Sequence, residues 1–316
     1  MRVVVTGGGG YIGGQTVLKL LDSGHSVLAI DRVWQPDHLE HSGAKWLIGD
    51  FAGEVALGAI KTFQPEAIIH CAGTSLVGPS MMDPEEYYNN NFVKTKRMCD
   101  FLVKENIKAR LIFSSSAATY GNPIMTPCQE VDPCEPISPY GESKLMTEWM
   151  LRAYQRAYGL DYVAFRYFNA CGADSQARHG QKLAATHLIA RILESMHNAS
   201  GDFTLNGTDF ATPDGTCVRD YVHVEDLAEA HVLAIDTSIP ADVYNLGTNQ
   251  GYSNLQIIHG AIKITHKDLE YHVGTRREGD PAMLTADAGK FMSVSGWKPH
   301  FGLEDMIGHA WTWYNQ

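Results

Sequence analysis

The sequence predicts an α/β fold in which a doubly wound, mostly parallel sheet is followed by a smaller mixed α/β domain. Short, continuous apolar runs alternate with helical patterns through the first half of the chain, and a glycine-rich turn follows the first run. The apolar runs are at residues 3–5, 27–30, 46–48, 67–69, 111–113 and 163–165. Because such runs are apolar on both faces of a strand, helices must cover the sheet on both sides.

The regular alternation fades after about residue 170, and Gly, Asn, Asp and Thr become frequent between residues 202 and 215. This composition predicts loops and short strands. We therefore expect a first domain at 1–168 and a second at 169–316. Segments 222–235 and 243–247 again have sheet and helix patterns, so we expect residues 222–247 to return to the first domain.

Composition excludes several classes of protein. The net charge of −11, from 25 basic and 36 acidic residues, argues against a nucleic-acid-binding surface. No long apolar stretch predicts a membrane span. The six cysteines are scattered without a C-x-x-C pair, which is typical of reduced thiols in a cytoplasmic protein. The 14 histidines form no ligand cluster, so we expect no metal.

The glycine-rich turn at residues 6–13, Thr-Gly-Gly-Gly-Gly-Tyr-Ile-Gly, lies between the first strand and the first helix. Gly7, Gly10 and Gly13 have the spacing that allows a tight turn, close approach of the backbone to a pyrophosphate, and helix–strand packing. The helix start at Tyr11 and Ile12 supplies free N–H groups and a favourable dipole for phosphate. The turn predicts a dinucleotide site of the Rossmann type.

The second predicted strand ends in an acid, Asp31, where a dinucleotide site needs a carboxylate to bind the adenosine ribose hydroxyls. That carboxylate would repel a 2′-phosphate, which favours NAD over NADP. Arg32 follows directly and is the type of residue that holds a 2′-phosphate, so NADP stays as the alternative. Asp50, after the third strand, fits either an adenine contact or a solvated loop acid.

A phenol and an ammonium stand four residues apart at Tyr140 and Lys144, which puts both on one face of a helix. The lysine should lower the pKa of the tyrosine so that it can act as a general base. Alone, this spacing also fits an ordinary surface pair. The three serines at 114–116 favour catalysis, because they end the fifth strand, where ligands bind in doubly wound sheets, and a hydroxyl there can share the substrate oxygen with the tyrosine.

With these motifs in this order, the chain resembles the extended short-chain dehydrogenase/reductase family, and within it the NAD-dependent epimerases of nucleotide sugars. The resemblance runs nearly end to end. Its blocks are residues 5–8, 75–78, 87–91, 113–121, 138–144, 166–169, 218–224 and 276–280. It implies inversion at C4 of a UDP-hexose through a 4-keto sugar, with Ser116, Tyr140 and Lys144 as the catalytic residues and with resident NAD.

The resemblance also implies binding residues. For NAD these are the turn residues Gly7, Gly10, Tyr11, Ile12 and Gly13, together with Asp31, Arg32, Asp50, Phe51, Cys71, Ala72, Gly73, Asn91, Ser114, Tyr140, Lys144 and Phe168. For the UDP-sugar they are Ser75, Ser116, Asn169, His187, Arg219, Arg276 and Asp280. Guanidinium groups match a diphosphate bidentately at any working pH, which agrees with this assignment for the two arginines.

The chain departs from some family members at a few positions. Ser75 stands where some members have a lysine, and Thr186 and His187 replace paired asparagines. His187 either contacts the diphosphate or is an ordinary helix histidine. Leu284 stands where a bulky tyrosine restricts the sugar pocket to plain hexoses and a smaller residue admits N-acetylhexosamines. Both substrate pairs therefore stay open.

Particular residues argue against other functions within the family. Dehydratases of the family carry an Asp-Glu pair after the strand-five hydroxyl, where this chain has Ala117 and Ala118, which argues against dehydration. Epimerisation of UDP-glucuronate or a UDP-pentose is the alternative, and a non-catalytic NAD-binding regulator is a remote one. The resemblance implies a homodimer through the helices around residues 83–105 and 140–158.

Overall fold

The structure is a computed structural model that describes residues 1–33, 36–39, 42–181, 186–198, 203–276 and 280–316. Its strands are β1 Arg2–Thr6, β2 Ser26–Asp31, β3 Lys45–Ile48, β4 Ala67–His70, β5 Arg110–Ser116, β6 Tyr162–Tyr167, β7 Asn169–Cys171, β8 Phe203–Asn206, β9 Val218–His223, β10 Val243–Leu246, β11 Gly251–Ser253, β12 Tyr271–Gly274 and β13 Met283–Leu284.

The α-helices are α1 Tyr11–Asp22, α2 Glu54–Phe63, α3 Val77–Ser80, α4 Pro84–Tyr87, α5 Lys94–Lys104, α6 Pro139–Tyr158, α7 Leu188–Asn198, α8 Val224–Leu233, α9 Asn254–Thr265, α10 Gly289–Ser295 and α11 Leu303–Tyr314. Three short helical segments of other types lie at Asp37–Leu39, Tyr88–Val93 and Ala117–Tyr120. The second of these is a π-helical turn that joins α4 to α5.

The largest sheet has seven parallel strands in the order β10-β6-β5-β4-β1-β2-β3. All six predicted apolar runs lie in it, so the predicted fold class is confirmed. The chain leaves β1 on one side for β2 and β3 and on the other for β4 to β6. This reversal opens a crevice at the carboxyl ends of β1 and β4, where ligands bind in such sheets.

Successive side chains of a strand point to opposite faces of the sheet, so the strands contribute to two separate cores. Val3 and Val5 of β1 pack with α1 and α8 on one face. Val4 packs on the other face with residues of α2, α5 and α6. Helices therefore cover both faces of the sheet, and the carboxyl edge is the part left for a ligand.

The later part of the chain builds two small sheets. β9 pairs with β7, β11 and β13, and β8 pairs with β12. A third core lies among these strands and α7, α9 and α11. Of the segment 222–247, α8 packs on α1 and β10 extends the large sheet, whereas β9 belongs to a small one. The division at residue 168 stays a prediction. Within the described ranges, no helix is long and apolar enough to cross a membrane.

Candidate active site

The glycine-rich turn has the close backbone packing that its sequence predicts. Gly7 has φ +73°, and a Cβ there would lie 2.7 Å from the backbone nitrogen of Ala72. A Cβ on Gly13 would lie 2.0 Å from the carbonyl oxygen of Gly7. Only glycine fits at either position. Gly10 caps α1 without a side-chain hydrogen bond, and the first turn of the helix holds no acid, so its N–H groups suit an anion.

Asp31 ends β2 beside this turn. Its Oδ2 accepts a hydrogen bond of 2.9 Å from the Gly9 N–H, and its Oδ1 accepts one of 3.2 Å from the Val33 N–H. Each carboxylate oxygen can accept a further bond. Arg32 is exposed next to it. The acid is therefore fixed against the glycine turn, where a ribose would reach it.

Asp50 is ion-paired rather than simply solvated, since its Oδ2 lies 2.5 Å from the Lys94 Nζ. Partial burial would raise the pKa of this acid, but the Lys94 contact and the Ala52 N–H lower it on balance. The neighbouring Phe51 is buried, with its ring edge-to-face on that of His70 at 4.7 Å. Both residues thus lie against the sheet at the end of β3.

Tyr140 and Lys144 are positioned by the start of α6. The Ser138 hydroxyl accepts a 3.2 Å hydrogen bond from the Gly141 N–H, and Pro139 begins the helix. The helix then runs along the end of β5, where the Lys144 Nζ donates a 2.8 Å hydrogen bond to the Ser114 carbonyl. The same nitrogen lies 5.8 Å from the centre of the Tyr140 ring. Ser116 interacts with the Tyr140 phenol, so the predicted three residues come together.

The protonation of this group differs from the expectation. Burial lowers the pKa of Lys144 to about 8. Burial also raises the pKa of Tyr140, although the Ser116 hydrogen bond opposes the change. Burial thus outweighs the effect expected of Lys144, and the net pKa of Tyr140 is raised rather than lowered. The tyrosine needs more positive charge beside it before it can ionise near neutral pH.

The three consecutive serines of β5 have three different roles. Ser116 faces Tyr140, and Ser114 exchanges a 2.8 Å hydrogen bond with the Tyr167 hydroxyl, which bonds in turn to His231 at 2.5 Å. Ser115 points to the opposite face and donates to Glu148, which is buried in an ion pair of 2.7 Å with Arg166. Sequence reasoning missed Tyr167, His231 and Glu148, because each joins the site only through tertiary contacts.

The turn after β4 holds the predicted cofactor residues Cys71, Ala72 and Gly73. Asn91 forms two hydrogen bonds with Thr74, the residue after Gly73. Its Oδ1 accepts a 2.7 Å bond from the Thr74 N–H, and its Nδ2 donates a 2.9 Å bond to the Thr74 carbonyl. The same Nδ2 donates to the Ser143 hydroxyl of α6 at 3.0 Å. Asn91 therefore joins this turn to the helix that carries Tyr140 and Lys144.

The predicted UDP-sugar residues Asn169, Arg219 and Asp280 gather around β9. The Asn169 Nδ2 donates a 3.0 Å bond to the Asp220 carbonyl, and Arg219 forms an ion pair of 2.6 Å with Asp280. β13 places Leu284 beside Arg219 in the sheet. Phe168, predicted to contact the cofactor, is buried against Tyr120 at the end of β6. The polar cluster next to the end of the large sheet thus consists of Asn169 on β7, Arg219 on β9 and Asp280, which precedes β13.

The remaining predicted substrate residues have local partners. The Arg276 Nε donates a 2.8 Å bond to Asp209, and its guanidinium lies 4.6 Å from the centre of the Phe210 ring. His187 bonds to Gln181 at 2.7 Å, and burial lowers its pKa. Ser75 is exposed. Residues 277–279 of the predicted motif lie outside the described residues.

The fold and this group of side chains define a class of protein. The chain matches the NAD dependent epimerase/dehydratase family over residues 3–247, and it belongs to that family. It is 43% identical to the UDP-glucose 4-epimerase of Lactobacillus helveticus, over 99% of this chain and 97% of that protein. It is 39% identical to that of Halalkalibacterium halodurans, over 100% and 96%.

Solved structures agree with these relatives. The UDP-glucose 4-epimerase of Bifidobacterium longum, in complex with NAD+ and UDP, matches with a TM-score of 0.94 and 35% identity over 100% of this chain and 98% of that one. The Brucella ovis enzyme, in complex with NAD, matches with a TM-score of 0.93 and 36% identity over 98% and 97%.

Proposed function

We propose that this protein is an NAD-dependent 4-epimerase of UDP-hexoses, which interconverts UDP-glucose and UDP-galactose. The observation that carries the proposal is the convergence of Ser116, Tyr140 and Lys144 beside the glycine-rich turn. Relatives of the same length that bear this activity in their names support it.

The residues of the crevice fit the cofactor. The uncapped N–H groups at the start of α1 suit the diphosphate of NAD, and the open acceptor sites of Asp31 suit ribose hydroxyls. The negative charge of Asp31 favours NAD over its 2′-phosphorylated form. When bound there, NAD would supply reversible hydride transfer at C4 of the sugar.

The chain's own residues handle the proton. The Tyr140 oxygen takes the proton of the C4 hydroxyl as the sugar is oxidised, and returns it when the 4-keto group is reduced. Ser116 bonds to the same substrate oxygen and orients it. Because burial raises the pKa of Tyr140, its ionised form depends on positive charge from Lys144 and from the nicotinamide ring.

Nucleotide recognition is assigned to the polar cluster around β9. Arg219 uses one N–H for Asp280 and one for the Val218 carbonyl, so its fork keeps donors for a diphosphate. Asn169 adds an amide beside it, and Asp280 suits the ribose hydroxyls. Ala117 and Ala118 offer no acid or base after Ser116, which favours epimerisation over dehydration within the family.

The test is to incubate the purified protein separately with UDP-galactose, UDP-N-acetylgalactosamine and UDP-glucuronate, with and without added NAD, and to identify products by NMR. We expect UDP-glucose from UDP-galactose, and product from the N-acetylated sugar only if Leu284 leaves room for it. Product from UDP-glucuronate alone would assign the alternative substrate class. No product from any sugar with NAD supplied would contradict the proposal and favour a non-catalytic regulator.

We also propose a homodimer in the cytoplasm. Val93, Trp149 and Tyr158 leave large apolar surfaces exposed on the predicted interface helices, which is typical of an interface. The six cysteines are all free, which favours a reducing compartment. Light scattering on the purified protein measures the oligomeric state directly, and a monomer at micromolar concentration would contradict the homodimer.

A further inference from the structure

Tyr87 lies between the predicted substrate loop and the predicted general base, and nothing in the proposed mechanism uses it. It ends α4, a single turn that begins with an Asp-Pro pair: the Asp83 side chain accepts a 3.2 Å bond from the Glu86 N–H. The π-helical turn Tyr88–Val93 follows at once. Turns of this kind are frequent at functional sites, because the extra residue re-aims neighbouring side chains.

The hydroxyl of Tyr87 faces the substrate loop. It donates a 3.1 Å hydrogen bond to the carbonyl of Ser75. The preceding residue, Thr74, is already held by Asn91 through both its N–H and its carbonyl. The following residue, Leu76, has φ +104°, a value that costs a non-glycine residue free energy unless its surroundings hold it. The Tyr87 hydroxyl therefore holds the carbonyl that directly precedes the strained residue Leu76.

The ring of Tyr87 faces the catalytic helix. Its centre lies 6.3 Å from that of Tyr140, with the two planes at 81°, which is the edge-to-face arrangement that aromatic pairs prefer. The Tyr87 side chain is only 2% exposed. It therefore packs against one side of the Tyr140 ring.

We infer that Tyr87 is a positioning residue for the epimerisation. Its hydroxyl and its ring have separate tasks. Its hydroxyl holds the Ser75 carbonyl and thereby shapes the loop that meets the sugar nucleotide. Its ring holds the orientation of the Tyr140 phenol. This inference depends on the proposed function, since both effects are measured as changes in turnover of UDP-galactose.

The test separates the hydroxyl from the ring with Tyr87→Phe and Tyr87→Leu. Loss of one hydrogen bond to a loop carbonyl should raise KM for UDP-galactose by about three- to tenfold in Tyr87→Phe. Its kcat should stay within about twofold, because the ring remains. In Tyr87→Leu, kcat should also fall by about tenfold, from the loss of the edge-to-face contact. Phenylalanine should thus rescue kcat relative to leucine.

Tyr244→Phe is the matched control. Tyr244 is equally buried, and its hydroxyl also donates to a backbone carbonyl, that of Pro240 at 2.8 Å, but it lies on the edge strand β10. Thermal unfolding of all three variants reports the purely structural cost, and Tyr244→Phe should change neither KM nor kcat.

Each outcome has one meaning. An unchanged KM in Tyr87→Phe, or a KM that rises no more than in Tyr244→Phe, would overturn the inference while wild-type turnover stands. A Tyr87→Phe variant with reduced kcat and normal KM would overturn the division of tasks. Wild-type protein without activity on UDP-galactose would instead contradict the proposed function.

Discussion

The two sides of the candidate site are held in different ways. On the catalytic side, formed by Ser116, Tyr140 and Lys144, the ammonium is fixed by a buried hydrogen bond to the Ser114 carbonyl of β5, and the Ser116 hydroxyl accepts one from the Ala118 N–H. On the substrate side, formed by Asn169, Arg219 and Asp280, the cation already has a carboxylate partner. The first side is preorganised for chemistry, whereas the second must exchange or share its partners when an anion binds.

Burial decides how much each ion pair matters. The side chains of Arg219 and Asp280 are 11% and 30% exposed, against 46% and 70% for Arg276 and Asp209. An exposed pair is screened and contributes little, while a charge in a partly buried cluster interacts strongly with a bound phosphate. The substrate side therefore depends on Arg219 more than on Arg276.

The largest expected effect tests the catalytic side. Tyr140→Phe removes the proton acceptor and keeps the ring, so kcat for UDP-galactose should fall by about 10²–10⁴-fold. Binding of NAD and of the UDP-sugar should be retained, because the ring and the other predicted binding residues remain. Steady-state kinetics and calorimetric titration with UDP check the two parts.

The matched control is Tyr154→Phe, on the same helix. Its hydroxyl bonds to Asp100 at 2.5 Å on the helix surface, away from Ser116, and kcat should not change. Near-normal turnover by Tyr140→Phe would contradict the role of Tyr140 as proton acceptor, and with it the argument that the catalytic side is preorganised.

The second prediction tests the substrate side. Arg219→Met should raise KM for UDP-galactose by about 10- to 100-fold, the value of one or two charge-assisted hydrogen bonds to a diphosphate. Arg276→Met should raise it by about threefold or less, because that side chain is largely exposed. Kinetics of both variants check the order, and Lys263→Met, in an exposed surface pair, serves as the unaffected control. Equal effects of the two arginine variants would contradict the argument from burial.

The two sides also differ in how far the sequence predicts them. The large sheet follows from apolar runs and from local turn chemistry, so its strands, the Gly7–Gly13 turn and the grouping of Ser116, Tyr140 and Lys144 could all be predicted. Tyr87, Thr74 and His231 could not, because their partners are distant in sequence. The π-helical turn resembles an ordinary helix in sequence, since backbone hydrogen bonds, not side-chain spacing, define it.

Placement of the later segments depends on which sheet each strand joins. Val222 continues β9 of a small sheet, although its apolar character fits the large sheet equally well. The net pKa of Tyr140 also differs from the expectation, since the spacing of a tyrosine and a lysine does not reveal how strongly burial acts on the phenol. Burial in the folded protein, rather than residue type alone, decides the electrostatics of the catalytic side.

The smallest expected effect concerns the cost of that preorganisation. Burial lowers the pKa of Lys144 to about 8, below the ordinary 10.5, so its charged form is destabilised in the folded protein. Lys144→Met should therefore abolish activity yet increase the free energy of unfolding at pH 7. A pKa shift of this size corresponds to a cost of about 3 kcal/mol for the charged lysine in the folded wild type, which the variant avoids. The variant also loses the hydrogen bond to the Ser114 carbonyl, which contributes about 1 kcal/mol. Its free energy of unfolding should therefore be higher by about 2 kcal/mol.

The stability difference between Lys144→Met and wild type should depend on pH. Below pH 8 the lysine is charged in both states and the folded wild type bears the full cost. Between pH 8 and about 10.5 only the unfolded chain holds the proton, so wild-type stability rises with pH and the advantage of Lys144→Met shrinks. Urea unfolding of the nucleotide-free proteins at pH 7 and pH 9.5 measures this. Lys61→Met removes an exposed lysine and should differ from wild type by less than about 0.5 kcal/mol at both pH values. A Lys144→Met protein that is less stable than wild type at pH 7 would mean that the buried ammonium stabilises the fold, and that preorganisation of the catalytic side has no cost in stability.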